Sequence, residues 1–100
     1  MLQGFRTYRL SVELYGRCKK VPAAPYERDQ LLRAALSIVL NLAEGSAKPT
    51  AKDRRRFYAM ALGSLREVQA ILEILERKEE FAIADQLGGG LYRLTRSTDS

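Results

Sequence analysis

The sequence of 100 residues contains no histidine, no tryptophan and a single cysteine, Cys18. One cysteine excludes an intramolecular disulfide, and one cysteine without histidine leaves no plausible zinc or iron site. Histidine is the side chain used most often in general acid–base catalysis, and a cysteine nucleophile needs such a base. Glu44 and Asp53 lack the third carboxylate that a two-metal nuclease would want. We therefore expect a protein that is not an enzyme and that uses no metal and no cofactor.

Long apolar runs are also missing. The longest nearly apolar run, Leu31 to Ala43, is interrupted by three polar residues. It is too short and too polar to cross a bilayer, which needs about 20 residues. Arg6 and Arg9 are not followed by the apolar segment of a signal peptide. The sequence predicts a single-domain cytoplasmic protein with no membrane partner.

Strand signals are absent, because the sequence shows neither clear alternation nor Asn-Gly or Asp-Gly turns. Helical spacing of apolar residues recurs instead in four segments. Three prolines, Pro22, Pro25 and Pro49, fall at the boundaries of these segments, where proline ends a helical pattern. The sequence predicts an all-α fold, an antiparallel up-down-up-down four-helix bundle, with helices at about residues 5–20, 26–44, 50–78 and 79–96.

The first segment has apolar residues three or four positions apart, which places them on one helical face. They are Phe5, Tyr8, Val12 and Tyr15, and Leu14 and Cys18 extend the same face. A lone cysteine on an apolar face is usually a core residue, so we interpret Cys18 as part of the packing.

The second segment carries one narrow polar stripe, whose members are three or four positions apart: Gln30, Arg33, Ser37, Asn41 and Glu44. A surface helix of a small monomer has a wider polar face. This helix is therefore either central in the bundle or covered by another subunit. We expect Asn41 and Glu44 to form hydrogen bonds within the bundle or across a subunit boundary. Gly45 fits the left-handed position that closes a helix.

The third segment opens with Thr50 and Asp53, which are spaced as in a capping box. Small residues that include Gly63 and Ser64 form a patch that would let another backbone come close. The apolar residues make a seam typical of helical bundles: Ala61, Leu65, Val68, Leu72 and Leu75.

The fourth segment contains three consecutive glycines, residues 88–90, which weaken a helix. Helical spacing nevertheless continues on both sides of them, at Ala84, Leu87, Leu91 and Leu94. We favour one continuous helix.

Positive charge is concentrated in the first half of the chain. Residues 1–56 carry twelve Lys/Arg and five Asp/Glu, a charge of +7, whereas residues 57–100 carry −2. This asymmetry favours a polyanionic partner, nucleic acid before membrane. One basic cluster precedes and opens the third helix: Lys48, Lys52, Arg54, Arg55 and Arg56. Cations at a helix N-terminus oppose the helix dipole, so local stability does not explain this cluster and we expect it to bind phosphate.

A second basic cluster, Arg17, Lys19 and Lys20, ends the first helix, and we expect it to contact nucleic acid as well. In an up-down bundle the end of the first helix lies at the opposite pole from the start of the third helix. We expect the two clusters to lie at different ends of the molecule unless oligomerisation rearranges them.

Several stretches resemble a bacterial family of four-helix bundles: "RDQLLRAALSIVLNLAEGSAK" (28–48), "FYAMALGSLREVQAILEI" (57–74) and "LYRLTRS" (91–97). This family includes the proteins encoded in intervening sequences of large-subunit ribosomal RNA genes. It also includes the accessory variability determinant of diversity-generating retroelements. The resemblance implies a homopentameric barrel with a basic surface and no enzymatic activity.

Two functions remain open at this point. The first is a non-enzymatic, oligomeric protein that binds RNA or DNA through phosphates with little sequence preference. The alternative is an adaptor that docks a reverse transcriptase in a diversity-generating retroelement. A small nuclease is the least favoured. Under either leading hypothesis one set of residues is structural or lies in a subunit interface: Arg33, Ser37, Asn41, Glu44, Gly45, Gly63 and Ser64.

Overall fold

The computed structural model describes residues 2–96, with side chains from residue 4 onward. These residues form four α-helices and no strand: α1 (Leu2–Cys18), α2 (Pro25–Ser46), α3 (Ala51–Ile74) and α4 (Lys78–Arg96). The predicted all-α fold of four helices is confirmed. The predicted bounds agree within three residues except at the end of α3, which lies four residues earlier than expected.

The helices pack as a ring in which α1 and α3 each contact both α2 and α4. Successive helices run in opposite directions, so the molecule has two distinct ends and measures 42 × 20 × 17 Å. We call one end proximal, because it holds the chain's first helical turn. The proximal end comprises the start of α1, the end of α2, the start of α3 and the end of α4. The other four helix termini form the distal end.

The predicted seams of α3 and α4 form the core. In α3 the buried residues are Tyr58, Ala61, Leu65, Val68 and Leu72, and Leu75 packs against them. In α4 they include Ala84, Leu87, Leu91 and Leu94. The three glycines do not interrupt α4, so the prediction of one continuous helix is confirmed.

The face of α1 that packs into the bundle differs from the predicted apolar face. Thr7, Ser11, Leu14 and Cys18 are buried, whereas Phe5, Tyr8 and Val12 are exposed. Ser11 is tolerated in the core because its hydroxyl donates a hydrogen bond of 2.6 Å to the Tyr8 carbonyl. Phe5, Tyr8 and Val12 share a face, as predicted, but the prediction that Leu14 and Cys18 extend this face is wrong, because both are buried on the face that carries Thr7 and Ser11. The apolar stripe of α1 faces outward from this chain.

Gly45 does not close α2 in a left-handed conformation. The helix continues to Ser46, and no glycine described has a positive φ angle. Gly45 is buried where α2 approaches α3. A Cβ placed on it would lie 2.8 Å from Tyr58 Cε1 and 3.0 Å from Phe57 Cβ. The glycine is thus required by close helix packing, and the predicted turn geometry is wrong.

A left-handed residue ends α3 instead, and it is Glu76, with a φ of 59°. The Arg77 amide donates to the Leu72 carbonyl at 2.9 Å, and the Glu76 amide donates to the Glu73 carbonyl at 3.0 Å. These two bonds define a Schellman motif, which satisfies carbonyls at the end of the helix. The motif stops α3 at Ile74 and lets α4 begin at Lys78.

Candidate nucleic-acid interface

The connector between α2 and α3 is fixed by local hydrogen bonds. The Thr50 hydroxyl accepts from the Asp53 amide at 3.1 Å, which confirms the predicted N-cap. The Arg54 guanidinium donates to the Lys48 carbonyl at 3.1 Å and to the Pro49 carbonyl at 3.3 Å. Arg54 therefore holds the connector in shape, in addition to contributing charge.

The side chains next to this connector gather around the half-buried ring of Phe57. The Lys48 ammonium lies 5.0 Å from the ring centroid, and the Arg56 guanidinium lies 4.8 Å from it. Both distances are within the range of cation–π attraction. Lys48 also forms an ion pair with Glu44, with 3.0 Å between Nζ and Oε2. Phe57 thus positions two of the predicted phosphate-binding cations.

The fold adds four arginines from α1 and α4 to the predicted cluster. The proximal end, taken as residues 2–9, 40–57 and 90–96, contains nine basic residues: Arg6, Arg9, Lys48, Lys52, Arg54, Arg55, Arg56, Arg93 and Arg96. In the same ranges the acidic residues are Glu44 and Asp53. Nine positive and two negative charges give this end a formal charge of +7.

Sequence reasoning missed the arginines of α1 and α4. They lie about 40 or more positions from the Lys48–Arg56 cluster on either side, and only the antiparallel order of the helices brings them to the same end. The signal was present in the predicted topology, since the up-down order already fixes which termini share an end.

Arg6 and Arg93 flank a groove of about 350 Å³ between α1 and α4. The buried Thr7 and the small Gly90 contribute to its floor. Because Gly90 has no side chain, the groove stays open between the two arginines. The proximal charge therefore extends from the α2–α3 connector around to the α1–α4 side of the molecule.

The second predicted cluster lies at the distal end, as expected from the topology. Arg17 forms an ion pair of 3.2 Å with Glu13, and the Lys19 ammonium lies 5.2 Å from the Tyr15 ring centroid. The main-chain carbonyl of Lys19 accepts a hydrogen bond from Arg28, which holds the α1–α2 connector. Arg17, Lys19 and Lys20 are therefore not brought together with Lys48–Arg56.

Acidic residues balance the distal end. Within residues 14–32 and 70–82 the six basic residues are Arg17, Lys19, Lys20, Arg28, Arg77 and Lys78, and the six acidic residues are Glu27, Asp29, Glu73, Glu76, Glu79 and Glu80. Arg77 makes two hydrogen bonds to Glu80, of 3.1 and 3.0 Å. These bonds hold the pKa of the buried Glu80 carboxyl below its ordinary value. A formal charge of zero makes this end a poor anion site.

The polar stripe of α2 faces α3 within the chain. The Ser37 and Ser64 hydroxyl oxygens are 2.8 Å apart, and the Asn41 amide donates to the Ser37 carbonyl and hydroxyl at 3.0 and 3.1 Å. Arg33 pairs with Glu67 across the same helices at 3.4 Å. These contacts set the register of α2 against α3. Because they are satisfied inside the chain, they do not themselves require a second subunit.

Gly63 does not take part in a close helix contact. A Cβ built on it has no neighbour within 4 Å, and the residue is exposed. Within the chain a close helix contact occurs at Gly45 of α2, and the interface role of Gly63 stays a prediction. The difference arises because Gly63 lies on the outer side of α3, whereas the next residue, Ser64, turns toward α2.

The single cysteine and the acidic side chains of the described residues can be examined for reactive and metal-binding character. Burial raises the pKa of the Cys18 thiol to about 12, and the charge of Glu80 adds to this effect. The thiol therefore stays protonated near neutral pH and is a packed core residue. In the described part of the chain no three acidic or cysteine side chains are grouped so that they could hold a metal ion. None of the four helices is long and apolar enough to span a bilayer.

Comparison with curated proteins and with solved structures finds no match. A family model does match, over residues 6–88, which cover α1, α2, α3 and the first half of α4. The stretch "LYRLTRS" (91–97), one of those that resemble the family, lies beyond the matched residues. The match includes the polar stripe of α2 and the Lys48–Arg56 cluster, and the chain belongs to the family of 23S rRNA-intervening sequence proteins.

Proposed function

We propose that this protein is a non-enzymatic RNA- or DNA-binding protein that contacts phosphates through its proximal end. The observation that supports the proposal most directly is the formal charge of +7 at that end against zero at the distal end. The mutual repulsion of so many like charges opposes compact packing, so stability does not explain why they are gathered at one end. A polyanion would compensate it. The family is named for a sequence within 23S rRNA, which makes RNA the first candidate.

The contacts would be to phosphates and would carry little base preference. The proximal cations come from the α2–α3 connector and from the termini of three helices, α1, α3 and α4, so they are spread over this end of the molecule. Backbone contacts of this kind position a protein on nucleic acid without reading its sequence. Affinity should therefore fall steeply with salt, with a slope in log–log form of about −0.9 per phosphate neutralised on duplex DNA.

The test is a charge reversal at the proximal end. We choose Lys52, Arg55 and Arg56, and leave Arg54 in place because it holds the connector through Lys48 and Pro49. Replacing the three by glutamate should weaken RNA binding at least tenfold in about 0.1 M salt and should make the salt slope shallower by about two to three. Fluorescence anisotropy with a labelled RNA at several salt concentrations measures both quantities.

The matched control reverses the same number of charges at the distal end, at Arg17, Lys19 and Lys20. Both variants change the net charge equally, so a general effect of net charge would weaken both. We expect the distal variant to keep the affinity within about twofold. Equal losses in the two variants, or an unchanged proximal variant, would show that the proximal end is not the binding surface.

The protein would act as a homo-oligomer, and a pentamer is the form that the family resemblance implies. Support comes from apolar side chains that this chain leaves exposed on α1 and α2. Phe5 is 58% exposed, Val12 42% and Leu40 57%, and Leu36 lies one turn before Leu40. Phe5 and Val12 are seven residues apart and Leu36 and Leu40 are four apart, so the members of each pair lie on one side of their helix and each helix presents an apolar face. Contiguous apolar surface of this kind is typical of subunit interfaces.

Light scattering on the purified protein should give a mass about five times the 11.3 kDa of the chain. Replacing Leu36 and Leu40 by glutamate should reduce that mass, because both side chains would place charge in the interface. Their exposure in the single chain means that the helical fold itself should survive, which circular dichroism checks. A wild-type mass of one chain would contradict the assembly.

A wild-type mass of one chain would favour the alternative function, an adaptor that docks a reverse transcriptase. The apolar faces of α1 and α2 would then be left for a different protein chain. A reverse transcriptase gene beside this one, with template and variable repeats, would support the adaptor, and co-purification of the two proteins would test it.

The non-enzymatic part of the proposal has its own test. RNA incubated with the protein and Mg²⁺ should stay intact. Glu44 is one of the two carboxylates of the proximal end, where it pairs with Lys48. If the protein cleaves the RNA and the Glu44→Gln variant does not, the proposal is wrong.

A further inference from the structure

Tyr92 is a large exposed aromatic side chain within the positive field of the proximal end. Its ring is 53% exposed, and within α4 it is the one large apolar side chain that is exposed. Tyrosine is buried to an intermediate extent in proteins, so exposure alone indicates little, but an exposed ring next to several cations is a feature of surfaces that bind unpaired bases.

The ring is held in place by a neighbouring side chain. The Arg96 guanidinium donates a hydrogen bond of 2.9 Å to the Tyr92 hydroxyl and lies 5.4 Å from the ring centroid. A ring fixed in this way loses little conformational entropy when a flat group stacks on it.

Tyr92 lies on the edge of α4 that adjoins α3. Gly88, one turn earlier on the same side, faces Leu65 of α3, since a Cβ placed on Gly88 would lie 3.4 Å from Leu65 Cδ2. The exposed apolar faces proposed as subunit contacts belong to α1 and α2. Phe5, with the Arg9 guanidinium 5.8 Å from its ring, has a similar pair of groups but lies on α1 beside that surface. Tyr92 is therefore an exposed ring of the proximal end that lies away from the proposed subunit contacts.

We propose that Tyr92 stacks on a base of single-stranded nucleic acid, so that the proximal end prefers unpaired strands to duplexes. This inference rests on the proposed function, since the surrounding cations would hold the phosphates on either side of the stacked base. A base in a duplex already stacks on its neighbours and cannot reach the ring without unpairing. A single strand offers every base face to an aromatic side chain.

The experiment compares the affinities of the full-length protein for an unstructured 20-nucleotide RNA and for a 20-base-pair RNA duplex. Tyr92→Leu should weaken binding of the single strand by about fivefold or more and change binding of the duplex by less than about twofold. Tyr92→Phe, which keeps the ring and loses the hydroxyl, should keep the single-strand affinity within about threefold. Because Tyr92 is exposed, these variants should fold, and circular dichroism verifies this.

Tyr26→Leu is the matched control, because Tyr26 is 75% exposed but begins α2 at the distal end. It should change neither affinity. As a second readout, the single strand but not the duplex should protect Tyr92 from nitration by tetranitromethane.

The outcomes separate this inference from the proposed function. If the Lys52, Arg55 and Arg56 charge reversal weakens binding to both RNAs while Tyr92→Leu weakens neither, or weakens both equally, the stacking role is wrong and the phosphate surface stands. If the charge reversal leaves both affinities unchanged, the proposed function is wrong.

Discussion

At the scale of single residues, Gly45 shows what a glycine at the end of a helix can do. The sequence pattern indicates a helix-closing position, but the residue is helical and packed under Tyr58. Both roles require a residue without Cβ. At a helix-closing position a Cβ would clash with the residue's own backbone, whereas at Gly45 it would clash with α3. The sequence of α2 alone does not distinguish these two cases.

Gly45→Ala should therefore destabilise the protein by about 1–3 kcal/mol, because the new Cβ would overlap Tyr58 Cε1, 2.8 Å away, in a packed core. Gly63→Ala is the matched control in α3, where a Cβ meets nothing within 4 Å. There the better helix propensity of alanine should raise stability by up to about 1 kcal/mol. Urea denaturation at one fixed protein concentration measures both, and a Gly45→Ala variant as stable as wild type would contradict the packing role.

At the scale of helices, the end of α3 is fixed by a motif that has an unusual residue at its key position. Glu76 adopts a φ of 59°, where glycine is the common choice because other residues experience a steric conflict of their Cβ. The hydrogen bonds of Arg77 and Glu76 to α3 carbonyls hold this conformation. Helix termination here is therefore supported by surrounding contacts and not by local preference.

Glu76→Gly should stabilise the protein by about 1 kcal/mol, since glycine adopts the left-handed conformation at low cost. The thermal midpoint should rise by about 4–8 °C for a domain of this size. Glu76→Ala tests the cause, because it removes the same carboxylate but keeps the Cβ. Alanine should give much less of the gain. Equal gains from alanine and glycine would assign the effect to the loss of charge.

The helices themselves could be predicted from the sequence, because proline positions and apolar spacing are properties of each segment. The orientation of α1 could not. Its two stripes, Phe5–Tyr8–Val12 and Thr7–Ser11–Leu14, both have helical spacing. Apolarity favours the first stripe, yet the second is buried. An apolar stripe indicates only that something covers it, and the sequence does not say whether the cover is the same chain or another one.

At the scale of the whole molecule, one part of the candidate site could be predicted from the sequence and another part could not. The Lys48–Arg56 cluster is contiguous in sequence and could be read from it. Arg6, Arg9, Arg93 and Arg96 join it only through the order of the helices. The neutrality of the distal end likewise depends on acidic residues of α3 and α4 that lie far from Arg17 and Lys20 in sequence. Charge segregation is thus a property of the fold.

The repulsion within the proximal end should make the protein more stable as salt is added. Raising ionic strength from about 10 to 100 mM shortens the Debye length from about 30 to 10 Å, which screens the cations from one another. The thermal midpoint should rise by several degrees at constant protein concentration. The Lys52, Arg55 and Arg56 charge-reversal variant should respond less. A wild-type midpoint that is flat or falls over this range would show that the repulsion is unimportant.

Under the proposed function, the elongated shape sets how densely chains could be arranged along a nucleic acid. The proximal end is a short face of a body 42 Å long and 20 by 17 Å across. A chain that attaches by this face would stand upright and cover about 20 Å of the strand, whereas one lying along its length would cover about 42 Å. Upright chains would project their neutral distal ends roughly 40 Å outward. The outer surface of a coated strand would then carry no net charge, so two coated strands would not repel each other.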